Sequence, residues 1–374
     1  MIVDTLKSAF SNMEVVHQPV DQELLQVEFG LNEVEEYLFA SAPFPEDCVK
    51  SVKHPNPAKE LTKLTAEDAY KDFSNGSTLI LRSLHRRIPA IARLAGAVGN
   101  HLGVEIRVNA YITPPNAAGF KRHIDNHDVL ILQTYGEKQW NTYPQVSDLP
   151  LETTLMSDIQ SAVFKTSQRT NNSQSSTAPP ALHTLLKSKE FLFLPKGVPH
   201  EGRTSEQASV HLSLGYIYPS QAEINSLAVF KSSLENADGK THYAPTAPLS
   251  HISLSDSDYS EMHTLMEIRR QESLIPAPGR FLETINQLAS LKDTSALQWR
   301  PNISPKLITW KGCLMFLAHK QLIPVSGDLK PVWFFLEKQR SFLIHEIPLL
   351  ALEERLIFAQ ELVKLGLLEI LPSS

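Results

Sequence analysis

The chain has little cysteine and no long apolar run. Its 374 residues include two cysteines, Cys48 and Cys313, which are far apart and form no C-x-x-C motif. This excludes a disulfide framework and a thiolate metal site, and it favours a reducing compartment. No window reaches the roughly 18 apolar residues of a transmembrane helix. The first residues, MIVDTLKSAFSNMEVV, include acidic side chains and do not resemble a signal peptide. We therefore expect a cytoplasmic protein with no membrane partner.

An excess of positive charge is also missing. The 35 Lys and Arg residues are outnumbered by 41 Asp and Glu residues, for a net charge of −6. A nucleic-acid-binding protein usually presents a basic face, so we do not expect direct nucleic-acid binding. A basic protein or peptide would suit this charge better. The length of the chain indicates two or three domains.

Short β-prone segments dominate the first part of the chain. After a predicted strand at 76–82 and a predicted helix at 83–102, further strands are predicted, at 104–112, 127–134, 137–143, 190–195 and 208–215. Several short strands of this kind predict a double-sheet jelly roll of the cupin type. Residues 165–179 are rich in Ser, Thr, Asn and Gln and predict a surface-loop insertion.

The remainder of the chain changes pattern twice. It is mostly helical over 221–297 and then contains apolar alternation at 306–317, 321–326 and 331–342, followed by a helix at 348–366. Strands and one helix in so short a segment predict a winged-helix-like module over 298–374. Residues 300–374 carry nine Lys and Arg against seven Asp and Glu, or +2, which is low for DNA binding.

His123, Asp125 and His200 are the candidate metal ligands. Residues i and i+2 of a strand point to the same face, so His123 and Asp125 are expected to project together. With His200 from a neighbouring strand they would form a two-histidine, one-carboxylate triad. This triad leaves coordination positions open, as a non-haem Fe(II) oxygenase requires. For any one histidine alone, a hydrogen-bonded structural role is the alternative.

His127 is an alternative to His123, because it also lies two residues from Asp125 on the same face. Ser213 and His211 share a face of the 208–215 strand and are candidates for the wall of a pocket. Hydrogen bonding inside the core is the alternative for this pair. The four tryptophans are expected to serve in packing.

Several segments together resemble the JmjC-type ribosomal oxygenases. They include NAYITPPNAAGF at 109–120, HIDNHDVLILQ at 123–133, GEKQW at 136–140, LPKGVPHEG at 194–202 and SVHLSLG at 209–215. The resemblance implies a JmjC oxygenase domain over 1–220, with its core at 75–217. It also implies a dimerisation-type helical region over 221–297, and hence a homodimer, before the winged-helix-like module.

The resemblance also assigns roles around the triad. His123, rather than His127, would ligate iron, and His127 would lie deeper or behind the ligands. Lys138 would pair with the distal carboxylate of 2-oxoglutarate, Tyr111 would hydrogen-bond the same carboxylate, and Asn109 would lie near the metal-bound end. The alternatives are a solvated lysine at a hairpin end, a packing tyrosine and an edge asparagine.

The function implied by the resemblance is hydroxylation of an amino-acid side chain in a protein or peptide, such as a His or Arg of a basic ribosomal protein. The cofactor would be Fe(II), with 2-oxoglutarate and O2 as cosubstrates and succinate and CO2 as products. Alternatives are the same chemistry on a biosynthetic peptide, a free amino acid or N-methyl-lysine. A non-catalytic, cupin-type ligand-binding regulator is the alternative from another class.

Overall fold

The computed structural model describes residues 2–20, 27–53, 59–144, 154–155, 179–218 and 256–372. The chain divides into two compact units. One contains residues 1–102 and 106–217, and the other contains residues 103–105 and 218–374.

The first unit combines four helices with thirteen strands in the described residues. The helices are α1 (Ile2–Asn12), α2 (Leu31–Ser41), α3 (Ala66–Ser74) and α4 (Pro89–Leu102). The strands before the candidate ligands are β1 (Val16–Pro19), β2 (Val49–Val52), β3 (Lys59–Glu60), β4 (Thr78–Leu81) and β5 (Glu105–Thr113). The remaining strands are β6 (His123–Ile124), β7 (Asp128–Tyr135), β8 (Glu137–Thr142), β9 (Thr154–Leu155), β10 (Leu182–Lys187), β11 (Glu190–Leu194), β12 (His200–Arg203) and β13 (Ser209–Ile217).

These strands form two sheets. The larger has the order β1-β11-β7-β13-β5-β4-β2-β3, and the smaller has the order β10-β8-β12-β6-β9. A buried apolar cluster contains residues from both sheets: Val129, Ile131, Trp140, Leu186, Leu192, Leu194 and Val198. The predicted double-sheet jelly roll is confirmed, because strands distant in sequence pair within each of two sheets.

The predicted helix at 83–102 is shorter than expected. Residues Leu84–Arg86 form one turn of 3-10 helix, and α4 begins only at Pro89. Proline disfavours helical conformation in the residue before it and suits the first helical position, which explains this start. The helix ends before Gly103, whose φ of 72° is left-handed. The predicted insertion at 165–179 lies, except for its last residue, outside the described residues.

The second unit contains four helices and six strands in its described residues. The helices are α5 (Asp256–Ser273), α6 (Phe281–Gln287), α7 (Lys330–Lys338) and α8 (Leu352–Lys364). The strands are β14 (Ala296–Trp299), β15 (Lys306–Trp310), β16 (Cys313–Ala318), β17 (Gln321–Pro324), β18 (Ser341–Leu343) and β19 (Leu368–Ile370). They form two three-stranded sheets, β18-β14-β19 and β15-β16-β17, over a core that includes Trp299, Phe316 and Trp333.

The apolar alternation at 331–342 predicts an extended segment, and this prediction is wrong. Helix α7 occupies most of it, and only β18 at its end is extended. Val332, Trp333 and Leu336 form the buried face of α7, and Pro331 lies at its start, where a missing N–H has no cost. The winged-helix-like character of this module and the proposed domain boundaries stay predictions. In the described part of the chain, no helix is long and apolar enough to cross a membrane.

Gly136 forms the tight turn between β7 and β8, and its φ is 63°. A Cβ there would overlap the carbonyl oxygen of Ala208. We expect Gly136→Ala to lower the free energy of unfolding by about 1 kcal/mol because of left-handed backbone strain. The overlap should lower it by about 1–3 kcal/mol more. Gly76→Ala is the matched control, because Gly76 has a φ of 88° but only the Lys53 side chain nearby. Chemical denaturation should show a larger decrease in the free energy of unfolding for Gly136→Ala than for Gly76→Ala. Equal decreases would contradict the destabilising role of the overlap with Ala208.

Candidate metal centre

His123, Asp125 and His200 converge at one point of the smaller sheet. His123 opens β6, Asp125 directly follows that strand, and His200 opens β12. The two histidines are opposite each other in the antiparallel pairing of β12 with β6. One potential ligand atom from each of the three residues lies within 4.8 Å of the others. The geometry therefore places these three predicted residues together.

The distances between ligand atoms leave room for an ion. His123 Nε2 is 3.9 Å from Asp125 Oδ1, and His200 Nε2 is 3.7 Å from Asp125 Oδ2. The Nδ1 atoms of His123 and His200 donate to the carbonyl oxygens of Lys121 and Val198, each at 2.9 Å. These bonds fix the tautomer in which Nε2 carries the free lone pair, as metal binding requires.

The environment of His200 keeps its ring neutral. Burial, followed by the neighbouring His123, lowers the pKa of His200 to about 4. A histidine must be neutral to ligate a metal, so His200 is ready to bind at neutral pH. Two imidazole nitrogens and a carboxylate fit a divalent transition metal such as iron.

His127 is not in this group. Its ring lies beside β13, where a Cβ on Gly215 would be 2.8 Å from Cδ2 and 2.9 Å from Nε2 of His127. Its Nδ1 is 3.1 Å from Asn126 Oδ1. The structure therefore brings His123, and not His127, together with Asp125 and His200.

Lys138 lies on β8 and is 3% exposed, so it is not a solvated lysine at a hairpin end. Its Nζ donates to Thr113 Oγ1 at 3.0 Å. The absence of a side chain at Gly202 leaves room for the Lys138 side chain. A Cβ at Gly202 would lie 3.0 Å from Lys138 Cε and 3.1 Å from the ring of Trp140. Burial lowers the pKa of Lys138 to about 7, and no carboxylate among the described residues offsets the desolvation of its charge.

Tyr111 and His211 form an aromatic wall. Their rings are stacked, with centroids 5.1 Å apart and planes 6° from parallel, and the Trp140 ring is nearly perpendicular to His211, with centroids 5.4 Å apart. Phe120 packs against Tyr111 at 6.1 Å and against His123 at 5.5 Å. Burial and then the Asp125 charge raise the pKa of Tyr111 to about 12, so its hydroxyl stays a hydrogen-bond donor.

Asn109 joins this arrangement through a hydrogen bond to the Tyr111 side chain, which opposes the rise in the Tyr111 pKa that burial causes. Asn109 Oδ1 accepts a hydrogen bond from the backbone N–H of Ser83 at 3.0 Å, which ties β5 to the turn before α4. Ser213 is partly buried on β13, two residues from His211.

Thr113 and Phe120 were missed by the sequence reasoning, and Trp140 was assigned only to packing. Thr113 lies two residues after Tyr111 on β5, so the same alternation that selected Asn109 and Tyr111 could have identified it. No comparable sequence signal marks Phe120. Its ring reaches both Tyr111 and His123 only through folding of the 114–122 loop.

Arg122, Tyr143 and Glu201 form a second group of side chains beside the ligand strands, which we call the outer group. The Arg122 guanidinium lies 3.4 Å from the ring centroid of Tyr143, and Tyr143 Oη donates to Glu201 at 2.6 Å. Arg122 Nη2 is 3.8 Å from the Glu201 carboxylate. Arg122 precedes His123 and Glu201 follows His200, so these contacts connect the two strands that carry the histidine ligands.

The comparisons with known proteins agree with this geometry. Residues 83–224 match the family model of the JmjC domain. The predicted resemblance to the JmjC family is confirmed over this part of the chain, and the cupin-like fold is confirmed.

Proteins similar in sequence include a "bifunctional lysine-specific demethylase and histidyl-hydroxylase NO66" from Drosophila persimilis. It is 22% identical over 312 residues, which cover 81% of this chain and 41% of the relative. The protein of the same name from Drosophila yakuba is 30% identical over 156 residues, or 41% of this chain and 21% of the relative. The chain thus spans less than half the length of these relatives.

Among solved structures, ycfD from Escherichia coli has the same fold. Its TM-score is 0.57 at 15% identity, covering 97% of this chain and 98% of that one. A second structure, of the E. coli ribosomal oxygenase YcfD with cobalt and 2-oxoglutarate, has a TM-score of 0.52 at 14% identity and covers 96% of this chain and 95% of that one. At these identities the similarity establishes the fold alone.

The outer group generates a prediction about metal affinity. Tyr143→Phe removes the hydrogen bond to Glu201 and leaves the ring under Arg122. We expect the affinity for Co(II) to fall by less than about tenfold, because Tyr143 acts through Glu201 and the ligand strands, whereas the histidine ligands themselves donate to the carbonyls of Lys121 and Val198. The melting temperature should change little, because a partly exposed hydrogen bond contributes only about 1 kcal/mol. Equilibrium dialysis would measure the affinity for Co(II). Gln139→Ala is the control, because Gln139 is an exposed residue of β8. Unchanged Co(II) affinity in Tyr143→Phe would contradict a positioning role.

Proposed function

We propose that this chain is an Fe(II)- and 2-oxoglutarate-dependent oxygenase that hydroxylates an amino-acid side chain in a protein or peptide. The observation that carries the proposal is the combination of the His123, Asp125 and His200 group with a buried lysine on the same face of the same sheet. A metal site alone would fit many functions. A metal site with a buried cation nearby fits a metal-chelating anion that has a second negative end.

The spacing supports a dicarboxylate. Gly202, against which Lys138 packs, follows His200 by two residues on β12 and faces the same side. Two strand residues correspond to about 7 Å, which a five-carbon dicarboxylate can span between a metal and an amine. Burying an unpaired ammonium is costly, whereas a carboxylate at Lys138 Nζ would offset that cost.

The remaining residues have defined roles in this proposal. Tyr111, with its hydroxyl protonated, would donate to the distal carboxylate, and Asn109 would lie nearer the metal. Phe120 and Tyr111 exclude water from the space beside His123. When bound, Fe(II) and 2-oxoglutarate supply the oxidising chemistry, in which O2 and the cosubstrate yield succinate, CO2 and a hydroxylated C–H position. The protein binds and orients these groups and keeps solvent away.

The target that we propose is a side chain of a basic ribosomal protein, a histidine or an arginine. Support comes from the names of the relatives, which include histidyl-hydroxylase and ribosomal oxygenase. The E. coli protein that shares this fold binds cobalt and 2-oxoglutarate, ligands for which this site has donors. A homodimer formed through residues 221–297 stays a prediction, since much of that segment lies outside the described residues. So does a cytoplasmic location.

The first test needs no knowledge of the target. Anaerobic addition of Fe(II) and 2-oxoglutarate to the metal-free protein should produce the visible charge-transfer band of a chelated complex. We expect Asp125→Ala to abolish the band, because it removes the carboxylate ligand. Lys138→Ala should retain the band but need about tenfold or more additional 2-oxoglutarate, since a charge-assisted contact is lost.

His101→Ala, at an exposed histidine of α4, is the control and should match the unaltered protein. Metal binding without any band in the unaltered protein would reject the oxygenase and favour a ligand-binding regulator. A band would justify incubation with ribosomal proteins and a search by mass spectrometry for the added oxygen. Loss of a methyl group would instead indicate the demethylation alternative.

The pKa of Lys138 predicts a pH dependence of cosubstrate binding. Its pKa of about 7 in the free protein means that the amine is mostly neutral at pH 8. A bound carboxylate favours the charged form, so binding should take up close to one proton at pH 8. The affinity should therefore decrease as pH rises above 7, by up to about tenfold per unit. Calorimetry in buffers of different ionisation enthalpy would measure this uptake. If Lys138→Met still took up a proton on binding 2-oxoglutarate, the proton would belong to another group.

A further inference from the structure

The inner face of the larger sheet continues beyond the residues that surround Lys138. His211, Ser213 and Gly215 of β13 all point to this face, because alternate residues of a strand share one side. Gly215 is paired with Val129 of β7, which belongs to the buried apolar cluster of the two sheets. His127 comes two residues before Val129, and the same alternation places its side chain on the inner face.

The imidazole of His127 lies over Gly215. A Cβ on Gly215 would be 2.8 Å from Cδ2 and 2.9 Å from Nε2 of the ring, closer than a methyl group can approach other atoms. A glycine inside a strand often marks such a close approach. At the other nitrogen the ring is held by Asn126, whose Oδ1 lies 3.1 Å from His127 Nδ1. The ring is therefore held in place over the inner face of β13.

The contact with Asn126 decides which nitrogen of His127 carries the proton. An amide oxygen only accepts hydrogen bonds, so the proton is on Nδ1 and Nε2 keeps its lone pair. His127 is partly exposed. Its Nε2 has no hydrogen-bond partner among the described residues, and it is not one of their buried atoms that lack a partner, so water reaches it. The molecule thus presents an accessible acceptor on the inner face.

His127 and Lys138 lie toward opposite ends of this face. The Lys138 end includes His211, whose ring centroid is 5.4 Å from that of Trp140, and Lys138 Nζ lies 5.3 Å from the Trp140 ring. Gly215, under the His127 ring, is four residues further along β13, or about 13 Å. His211 is 3% exposed, whereas His127 is partly exposed, so the His127 end is the more open one. A dicarboxylate that extends from the metal ligands to Lys138 leaves His127 available to another molecule.

The chemistry of His127 Nε2 selects the kind of group that would meet it. Only Asn126 separates His127 from the ligand Asp125, so the acceptor lies close to the metal centre. A lone pair at that place suits a molecule that brings an N–H donor. Arginine and protonated histidine side chains carry such donors, and their positive charge strengthens the bond. An apolar side chain would leave Nε2 without a donor.

We propose that His127 Nε2 accepts a hydrogen bond from an N–H of the target side chain and so favours a basic target at the metal centre. This inference rests on the proposed function and deepens it, because it assigns recognition of the target to a residue outside the three ligands and away from Lys138. In this arrangement His127 contacts the substrate, and Gly215 leaves the space that His127 needs.

His127→Phe tests the proposal, because it keeps a ring over Gly215 and removes both nitrogens. The probes are three blocked tripeptides that differ only in a central arginine, histidine or norleucine. The protein is loaded with Mn(II) and 2-oxoglutarate in the absence of O2, and NMR follows the paramagnetic broadening of peptide signals beside the metal. We expect the affinity for the more tightly bound basic peptide to fall by about tenfold. The affinity for the norleucine peptide should not change.

His127→Gln should restore most of this affinity, because its side-chain oxygen is again an acceptor. His183→Phe is the matched control. Nδ1 of His183 is also close to an asparagine oxygen, Oδ1 of Asn141 at 2.6 Å. Asn141 follows the inward-facing Trp140 on β8, so this pair lies on the outer side of the smaller sheet. Its replacement should leave the affinity for all three peptides unchanged.

The outcomes distinguish the inference from the proposed function. Failure of the unaltered protein to bind Mn(II) and 2-oxoglutarate would reject the function itself. With both bound, the absence of any preference for a basic peptide over the norleucine peptide would overturn only this inference. Unchanged peptide affinities in His127→Phe would overturn it too, as would equal losses for the basic and norleucine peptides, since the ring would then act through its shape. A weaker affinity of His127→Phe for 2-oxoglutarate would also overturn it, because the residue would then belong to the cosubstrate pocket.

Discussion

The site depends on one antiparallel register. His200 on β12 is opposite His123 on one side and Thr142 on the other. This register sets both ends of the proposed pocket, because it brings the histidines together and places Gly202 against Lys138. A slip of one residue would turn His200 and Gly202 to the outer face of the sheet. The outer contacts among Arg122, Tyr143 and Glu201 hold these same strands.

The second constraint is the burial of polar groups without an internal partner of opposite charge. In the described residues, Lys138 donates a hydrogen bond to the hydroxyl of Thr113, and His211 Nδ1 and Trp140 Nε1 have no hydrogen-bond partner. Such a region lowers the stability of the free protein. Under the proposed function, the distal carboxylate of the cosubstrate would offset the cost of burying Lys138. Functional sites commonly break the rule of satisfied buried polar groups in this way.

Much of the fold and site could be predicted from the sequence. Short β-prone segments located strands β5, β7, β8, β11 and β13, and the ligand types and spacing selected His123, Asp125 and His200. Helix α7 was missed because Val332, Trp333 and Leu336 belong to a short apolar segment whose period is ambiguous. The choice between His123 and His127 also needed the structure. Both lie two residues from Asp125; the family resemblance favoured His123, and the pairing of β6 with β12 supplies the physical reason.

The sequence by itself determined the chemistry that is available: two imidazoles and a carboxylate, a nearby lysine and a set of short strands. These features are local, because strand alternation and ligand type act over a few residues. Only the tertiary structure decided which groups meet. Thr113 and Lys138 are 25 residues apart, and Tyr143 and Glu201 are 58 apart. Contacts at such separations depend on strand register and burial, which the packing of the two sheets sets over the whole domain.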